Sequence, residues 1–439
     1  METFNTFISG LSVVFWGVVM LSLVVVVHEA GHFTVARLLG LRVREFMIGL
    51  PGPNIGFTFK GTRFGVTPFL LGGYAAIAGM QEELTEEKTK LLPKAITLLS
   101  LAGRLDTAEV QALEPSLGFD LEGSLDTLTD WGSVMRKKQR NGLYLYEMPA
   151  GAGVARGEAR EIADPEAFIA SERKLTYTAA PWWKRVLMLL GGTAFNLIFA
   201  VIVFTVIMVA VGQQTGTSEL SEVAADSPAA SAGLVVGDRI TAIDGQAVED
   251  WDGLVSVLGG QQVGQTVSVD IAPADGTAQT ETVAVTLGDN QGAPYLGVSP
   301  VVKTSPVSLG SALGRSFGMI GMVAQAIAQL FNPATTGAVL SQSTSVVGIA
   351  FIARDAAAEG FLNFIIITAS ISISIGLMNM LPFPPLDGGK IVLESIQRII
   401  RRPLPVRLIN TISIVGMGLM VVLFLFLTSQ DIQHFIFGG

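Results

Sequence analysis

The sequence predicts a membrane protein with an α-helical core of four transmembrane helices, a membrane-associated β-hairpin or sheet, and a small extracytoplasmic α+β domain. The chain is 50% hydrophobic and 15% charged, with a mean hydropathy of +0.53, and is therefore too apolar for an ordinary soluble enzyme. Four uncharged runs are long enough to cross a hydrocarbon core of about 30 Å. Basic residues collect on one side of these runs, as expected for the cytoplasmic flanks of a multi-pass protein.

The four predicted spans differ from a shorter apolar run. That run, residues 316–331, suits a helix lying along the membrane interface. The amino-terminal "METFN" has no basic residue and precedes an apolar run longer than the core of a signal peptide, so we do not expect a cleaved signal. The predicted spans are residues 7–27, 186–212, 361–383 and 408–427.

The distribution of Lys and Arg predicts the orientation of the chain. Residues 37–185 and 387–407 hold 24 of the 28 basic residues, and cytoplasmic flanks collect such residues. We therefore expect both regions to face the cytoplasm. Both chain termini and the loop 213–360 are then extracytoplasmic, and the carboxyl end of the first span lies near the cytoplasmic side.

Composition also limits the chemistry. The net charge of -9 and the pI of about 5.0 argue against a nucleic-acid partner. The chain has no cysteine, which excludes disulfides, thiolate metal sites and a cysteine nucleophile. It has three histidines, His28, His32 and His434, so carboxylates or water must complete any metal site.

The first span ends in "HEAGH", residues 28–32. On a helix, His28 and His32 project from one face, with Glu29 beside them. This is a zinc signature in which two imidazoles bind the metal and the glutamate takes a proton from the attacking water. A chance motif is the alternative. Inside a membrane, however, each ionisable residue costs a few kcal/mol unless it is paired or metal-bound, which favours the zinc site.

A catalytic zinc ion usually has three protein ligands, and the third is predicted to be Asp387. His434 follows the last span, on the opposite side of the membrane, so an acid from another helix is needed. Asp387 lies in "NMLPFPPLDGGK" (379–390), where three prolines must break the third span and glycines permit close backbone approach. The alternative is a solvated carboxylate that starts the next helix.

Two asparagines are also candidates for function. Asn379 lies eight residues before Asp387 and is suited to contact a substrate backbone or to stabilise an oxyanion. Asn196 lies in "GGTAFNLIFA" within the second span. It has either a substrate role or a hydrogen bond to a neighbouring helix.

A β-hairpin is predicted directly after the histidine-bearing helix. "NIGFTFKGTRFGVTPF" (54–69) contains two β-favouring runs around a Lys-Gly turn. Hydrolysis of a membrane helix requires local unwinding, and an exposed strand edge can hold the unwound backbone by strand addition. An ordinary surface hairpin is the alternative.

Five segments together resemble the site-2 protease family of intramembrane zinc metalloproteases. They are, in order along the chain, "HEAGH", "LGLRVREFMIGLPGP", "PFLLGGYAAIAGM", "PWWKRVLMLLGGTAFN" and "NMLPFPPLDGGK". The resemblance implies one zinc ion bound by His28, His32 and Asp387. It also implies that Glu29 is the catalytic acid/base and that Asn379 helps to bind the substrate or transition state.

The same resemblance assigns the second span. Gly192 and Asn196 stand where the family has a glycine and an asparagine in this span. The family usually has a Gly-Pro pair here, and this chain has Gly192-Thr193 instead. The implied activity is zinc-dependent cleavage of transmembrane segments of single-pass membrane proteins, such as anti-sigma factors or signal peptide remnants. Two alternatives are a metal transporter and a catalytically silent membrane scaffold. A transporter would repeat its histidines and acids along a path, and a silent scaffold would not need Glu29.

The region after the second span resembles a PDZ domain over residues 215–301. "SPAASAGLVVGDRI" and "TAIDGQAV" match its short helix, turns and strand, and alternating strands follow at 266–271 and 281–287. The resemblance implies a groove that screens the ectodomain of the substrate or excludes large ones, with a purely structural cap as the alternative.

Residues 81–180 form a predicted cytoplasmic insertion of unclear fold. Its basic cluster "MRKKQR" (135–140) suits an anionic leaflet or a solvated flank. The other predicted segments are 1–80 with the zinc motif and hairpin, 181–214 with the second span, 302–360 with extracytoplasmic interfacial helices, and 361–439 with the last two spans.

Overall fold

The computed structural model describes residues 2–70, 72–80, 86–151, 154–273, 280–290, 292–341, 343–402 and 404–435. The chain divides into two compact units. One comprises Met1–Val203 and Ser316–Gly439, and the other comprises Phe204–Arg315.

The chain contains both helices and strands, and its last six elements are helices. From the amino terminus to the second span the elements are α1 (Glu2–Leu38), β1 (Val43–Ile48), β2 (Ile55–Phe59), β3 (Thr62–Val66), β4 (Gly73–Ile77), α2 (Glu86–Ala102), β5 (Arg104–Asp106), α3 (Thr107–Leu117), α4 (Leu121–Trp131), β6 (Met135–Lys138), β7 (Tyr144–Glu147), α5 (Pro165–Arg173) and α6 (Trp182–Val211). The following elements are β8 (Gln213–Val223), α7 (Pro228–Ser231), β9 (Arg239–Ile243), β10 (Gln246–Ala247), α8 (Trp251–Gly259), β11 (Thr266–Ala272), β12 (Glu281–Thr286), β13 (Gly288–Asn290), β14 (Ala293–Tyr295) and β15 (Val298–Ser305). The carboxyl-terminal elements are α9 (Leu309–Gln329), α10 (Thr336–Ser341), α11 (Val346–Glu359), α12 (Phe361–Asn379), α13 (Asp387–Ile400) and α14 (Val406–Phe435).

The prediction of four transmembrane helices is confirmed. Among the described residues, the helices long and apolar enough to cross a membrane are Gly10–Leu38, Trp182–Val211, Phe361–Asn379 and Arg407–Gln433. The third helix ends at Asn379, before the predicted boundary at residue 383. Met380 is its C-cap, and the prolines that follow cannot continue the helix.

The predicted hairpin is present and belongs to a four-stranded sheet of order β2-β3-β1-β4. Strands β2 and β3 pair antiparallel through a turn at Lys60 and Gly61, both with positive φ, which is the two-residue turn that favours hairpins. The alternating side chains of Ile55, Phe57 and Phe59 are 88%, 66% and 56% exposed. A row of exposed apolar residues marks an interaction surface for a membrane or another protein segment.

The insertion is a compact α+β region whose first part has the topology of a winged helix. The order α2, β5, α3, α4, β6, β7 and the antiparallel sheet order β5-β7-β6 define this variant of the helix-turn-helix. Asp106 and Asp120 cap α3 and α4, and Gly118 makes the left-handed turn between them. The core includes Leu92, Ile96, Leu99, Leu121, Leu125, Leu128, Trp131 and Tyr146.

The basic cluster "MRKKQR" forms β6 and the start of the wing turn. Helix α4, at the position of the DNA-reading helix in such folds, is mostly buried and carries Glu122, Asp126 and Asp130. An acidic, buried helix is not suited to reading a nucleic-acid groove.

The second unit contains the predicted PDZ domain. Its sheet has the order β12-β11-β9-β8-β15, with β10 paired to β9, and two short helices, α7 and α8, accompany it. Strands β8 and β15 begin and end slightly outside the predicted limits of 215 and 301. Its core includes Leu220, Ile240, Ile243, Leu254, Val269 and Val285.

Helix α11 packs against the first, third and fourth spans. A Cβ atom at Gly17 of α1 would lie 2.5 Å from the Cβ of Ala350, so the two helices are in close contact. Asp431 of α14 accepts hydrogen bonds from the backbone N–H groups of Ser345 and Gly348 at 2.7 and 3.0 Å. The acid therefore satisfies the first turn of α11 and joins it to the last span.

Candidate metal centre

Two histidines from the first span meet an aspartate from the carboxyl-terminal half of the chain. His28 and His32 lie one turn apart on α1, and Asp387 is the first residue of α13. The Nε2 atoms of both histidines lie 3.1 Å from Oδ2 of Asp387 and 3.2 Å from each other. All three side chains are buried. The three residues predicted from the sequence as ligands are therefore brought together.

The donor atoms fit a single zinc ion. In a tetrahedral site with ligands at about 2.0–2.1 Å, neighbouring donor atoms are about 3.3 Å apart. The observed separations of 3.1 and 3.2 Å agree with that edge length. Imidazole nitrogen and carboxylate oxygen are both normal zinc ligands, and three of them leave a fourth position for water or substrate.

Close contact between α1 and α6 shapes the centre. A Cβ atom at Gly31 would lie 2.1 Å from the carbonyl oxygen of Gly191. A Cβ atom at Gly192 would lie 2.5 Å from Cε1 of His28 and 2.6 Å from Nε2 of His32. Because real Cβ atoms are not found at such distances, these positions require glycine. Gly192 thus lies against both imidazole rings.

Hydrogen bonds on the far side of each imidazole set its orientation. Nδ1 of His32 donates to the carbonyl oxygen of Met188 at 2.9 Å, which leaves Nε2 free to bind a metal. The amide of Asn196, which is fully buried, lies 3.5 Å from Nδ1 of His28. Its Oδ1 has no hydrogen-bond partner in the described part of the chain. A rotated amide would place Oδ1 where it accepts the Nδ1–H of His28.

This placement bears on the two roles expected for Asn196. The side chain reaches across to the neighbouring helix α1, and it contacts His28 at the nitrogen opposite Nε2. It therefore lies behind His28, on the side of the ring away from Asp387. In zinc sites, such outer partners orient the ligand and raise its basicity.

Glu29 lies next to the ligand set and is held by the four-stranded sheet that contains the hairpin. Its Oε2 accepts a hydrogen bond from the backbone N–H of Ala75 at 2.9 Å. Ala75 lies in β4, which is the edge strand beside α1. Sequence reasoning missed this contact because a backbone N–H leaves no signal in the residue type.

The other end of β4 is joined to the winged helix. The N–H of Gly79 donates to Oδ2 of Asp130 at 2.8 Å, and Oδ1 of Asp130 accepts from Nη2 of Arg44 at 2.8 Å. Asp130 is at the carboxyl end of α4. One strand thus connects an acid of the insertion with the glutamate beside the metal centre.

A second ion pair, between Arg42 and Glu172, joins the segment after α1 to the cytoplasmic insertion predicted at residues 81–180. Arg42 donates to both carboxylate oxygens of Glu172, at 2.5 and 3.1 Å, and to the carbonyl oxygen of Trp131. Burial by itself would raise the pKa of Glu172, but the hydrogen bonds from Arg42 and Ser133 outweigh it. The pKa of Glu172 is therefore below its ordinary value, and this carboxylate is ionised at neutral pH.

Asn379 occupies a different place from Asn196. It is the last residue of α12, it is half-buried, and its Nδ2 donates to the carbonyl oxygen of Ile375 at 3.1 Å. One N–H of the amide remains available for another acceptor. The side chain of His434 lies outside the described residues.

The comparisons with known proteins decide the family. The sequence model described as peptidase family M50 matches residues 16–423. The chain belongs to peptidase family M50. This result confirms the resemblance to site-2 proteases, since that family is M50. With its apolar helices, the protein is a membrane-bound zinc metalloendopeptidase of this family.

Similar M50 proteins are found in several bacteria. A protein of Enterococcus faecalis named as the protease eep is 27% identical over 435 residues, covering 96% of this chain and 98% of that protein. A Streptococcus pneumoniae protein named as a zinc metalloprotease is 28% identical over 436 residues, with the same coverage. A solved PDZ domain of an SdrC-like protein from Listeria monocytogenes is 28% identical, covers 21% of this chain and 94% of that domain, and has a TM-score of 0.18.

We expect Gly192→Ala to reduce zinc binding strongly. The added methyl group would lie 2.5–2.6 Å from atoms of both imidazole rings, so at least one ring must move. A misplaced ligand weakens a metal site that requires a fixed tetrahedral geometry. Zinc per purified chain, measured by elemental mass spectrometry, tests this. Gly418→Ala, where a Cβ atom meets nothing within 4 Å, is the control, and equal zinc contents would contradict the prediction.

Proposed function

We propose that this protein is an intramembrane endopeptidase that cleaves transmembrane segments of single-pass membrane proteins near their cytoplasmic ends. The observation that carries the proposal is the buried ligand set His28, His32 and Asp387, with its two histidines inside the span Gly10–Leu38. A metal centre at this depth is accessible to a peptide bond that itself lies in the membrane. A soluble protein segment would have no direct route to it.

In the proposed mechanism, Glu29 performs the proton transfers. His28, His32 and Asp387 would hold a zinc ion, which would supply Lewis acidity toward the scissile carbonyl and the attacking water. Glu29 takes a proton from the attacking water and returns it to the leaving amine. The N–H of Ala75 positions the carboxylate for both steps. The remaining N–H of Asn379 donates to the oxyanion.

We further propose that the unwound substrate adds to the edge of the four-stranded sheet at β4. The sheet has two edges, β2 and β4. Neighbouring strands are about 4.8 Å apart, so the β2 edge is about 14 Å farther from Glu29 than β4 is. Alternate residues of an edge strand direct their backbone groups away from the ladder. Ala75 is one of these residues, because its N–H donates to Glu29.

The substrates are proposed to be anti-sigma factors or signal peptide remnants, already shortened outside the membrane. The PDZ domain then acts on the ectodomain side, either by binding the new chain end or by excluding longer ectodomains. This arrangement places both chain termini and residues 213–360 outside the cytoplasm of a bacterial inner membrane, because most Lys and Arg residues lie in the other loops.

The substrate class is tested with the full-length protein in nanodiscs. One substrate is a single-pass anti-sigma factor with a shortened ectodomain, and another is a signal peptide remnant. We expect new termini within the transmembrane segment, identified by mass spectrometry. A water-soluble peptide with the same cleavage sequence is the comparison. Cleavage of that peptide at an equal rate, with both membrane substrates intact, would contradict the proposal.

The orientation is tested with single cysteines, since the natural chain has none. Ala108 of α3 and Ser256 of α8 are both exposed. We expect Ser256→Cys to react with an impermeant maleimide in intact spheroplasts. Ala108→Cys is expected to react only after permeabilisation. The reverse pattern would show that the chain is inserted the other way round.

Asp130 is expected to influence turnover through β4. Asp130→Asn removes either the charge pair with Arg44 or the acceptor for Gly79. Small displacements of a catalytic group are costly, so we expect kcat to fall by about tenfold to a hundredfold. KM and zinc content should change little. Faster hydrogen exchange at the amides of β4 should accompany the loss.

Asp126→Asn is the matched control for this effect. Asp126 lies on the same helix and accepts from Arg136 and Tyr146, both inside the winged helix. If both variants lose activity to the same extent, the loss reflects general destabilisation of the insertion, and the proposed link through β4 is rejected.

A further inference from the structure

A second site lies apart from the metal centre, between the start of α6 and the end of α13. It is a cavity of about 530 Å³. The side chains that decide its character are Trp182, Arg185, Arg398, Arg401 and Arg402. Four guanidinium groups around one cavity produce a strongly positive potential, which favours an anion.

The walls contain donors that lack acceptors. Nε1 of Trp182 and Nε of Arg185 are buried, and neither has a hydrogen-bond partner among the residues that the structure describes. Glu394 is engaged by Arg185 at 2.8 Å and by the hydroxyl of Tyr177 at 3.1 Å. Buried donors are normally paired. The described residues that line the cavity include four arginines and no carboxylate, which favours an anion there.

The backbone at the end of α13 supports the same conclusion. Arg401 is the C-cap of this helix and has a φ of 55°, in the left-handed region. Glycine or asparagine usually takes this position, because other residues are strained there. The turn brings Arg401 and Arg402 to the cavity that Arg398 lines. Strain of this kind is typical of positions with a ligand-binding role.

The surroundings of the cavity are apolar. Val392, Ile396 and Ile399 follow one face of α13 and are 39%, 39% and 79% exposed, the pattern of a helix that lies on a membrane surface. Trp183, next to the cavity wall, is 49% exposed, and tryptophan is enriched at the headgroup level. If this face contacts lipid, the arginines beside it would lie at the depth of lipid phosphates.

We propose that this cavity binds the phosphate headgroup of an anionic phospholipid. Arginine forms bidentate hydrogen bonds with phosphate oxygens, and basic pockets between membrane helices on the cytoplasmic side bind such headgroups. The exposed apolar face of α13 provides a surface for the acyl chains, which a soluble phosphate does not need. Because α13 begins with Asp387, the lipid anchors the far end of the helix that carries the aspartate of the metal centre.

The experiment measures lipid retention by the full-length protein. The protein is placed in phosphatidylcholine nanodiscs that contain some phosphatidylglycerol, and the lipid that stays bound after transfer to detergent is identified by native mass spectrometry. In Arg401→Gln/Arg402→Gln we expect phosphatidylglycerol binding to be about thirtyfold weaker. Lys137→Gln/Lys138→Gln, which removes the same charge from the exposed wing, is expected to bind as the wild type does.

Each outcome decides the proposal. A similar loss in both double variants, or in neither, overturns it, because binding is then unspecific or occurs elsewhere. Inorganic phosphate is titrated against the lipid-free protein in a second arm. If phosphate alone binds as tightly as the lipid and displaces it, the ligand is a soluble phosphate and the lipid assignment is wrong. Zinc content reports folding. If the arginine double variant loses zinc, the single variant Arg398→Gln is measured in its place.

Discussion

Glu29→Gln is expected to lower substrate cleavage by about 10²–10⁴-fold, the usual contribution of a general acid/base. The amide has the same shape as the carboxylate and can still accept the N–H of Ala75, but it cannot take a proton from water. Because Glu29 is not one of the three residues that meet at the centre, the variant should keep its zinc. Cleavage of a membrane substrate in nanodiscs and zinc per chain are the two measurements.

Glu45→Gln is the matched control for this substitution. Glu45 lies in β1, next to β4, and its carboxylate accepts from the hydroxyl of Tyr74 at 2.9 Å. The control removes one negative charge from the same sheet without touching the metal centre. Equal cleavage by wild type and Glu29→Gln would reject the proposed mechanism. Loss of zinc from Glu29→Gln would instead make Glu29 part of the binding site.

The second large effect is expected from Asp387→Asn, which should weaken zinc binding by more than 100-fold and abolish cleavage. Changes to the outer partners of zinc ligands already cost about 10–100-fold, and this change replaces a charged ligand by a neutral amide. The amide keeps only one oxygen, which is a weaker ligand than the carboxylate oxygen that lies 3.1 Å from both buried imidazoles. Zinc affinity is measured by competition with a chelating indicator.

Lys390→Gln is the control that distinguishes the effect of the Asp387 carboxylate from the effect of the residues around it. Nζ of Lys390 lies 3.3 Å from Oδ1 of Asp387, the oxygen that does not face the histidines. We expect this variant to hold zinc within a few-fold of the wild-type affinity. Full zinc occupancy in Asp387→Asn would show that another residue is the third ligand, and the proposed centre would need to be revised.

The features predicted from the sequence are those with a local pattern. The spans follow from run length and the hairpin from its Lys-Gly turn. The histidine pair follows from its spacing on a helix. Asp387 could be predicted because the expected topology brings the carboxyl ends of the first and third spans to the same side of the membrane. All of these depend on residues that are close in sequence or on the thickness of the bilayer.

The features that were missed depend on contacts between distant residues. Asp130 accepts from Gly79, two residues past the end of β4 and 51 residues away along the chain, and an aspartate at a helix end is more often a capping or solvated residue. The winged helix was not recognised because its strands have only three or four residues. Asn196 was assigned to the second span, but only the packed helices show that it lies behind His28.

The close backbone contact between α1 and α6 also limits the route by which a substrate can reach the metal centre. Gly31, Gly191 and Gly192 leave no room for even a methyl group where these helices cross. A guest helix therefore cannot pass between them without separating two backbones in van der Waals contact. The lateral gate for a membrane-embedded polypeptide is then expected along another side of the first helix, so disulfide crosslinks that join α1 and α6 away from these glycines should leave proteolysis intact.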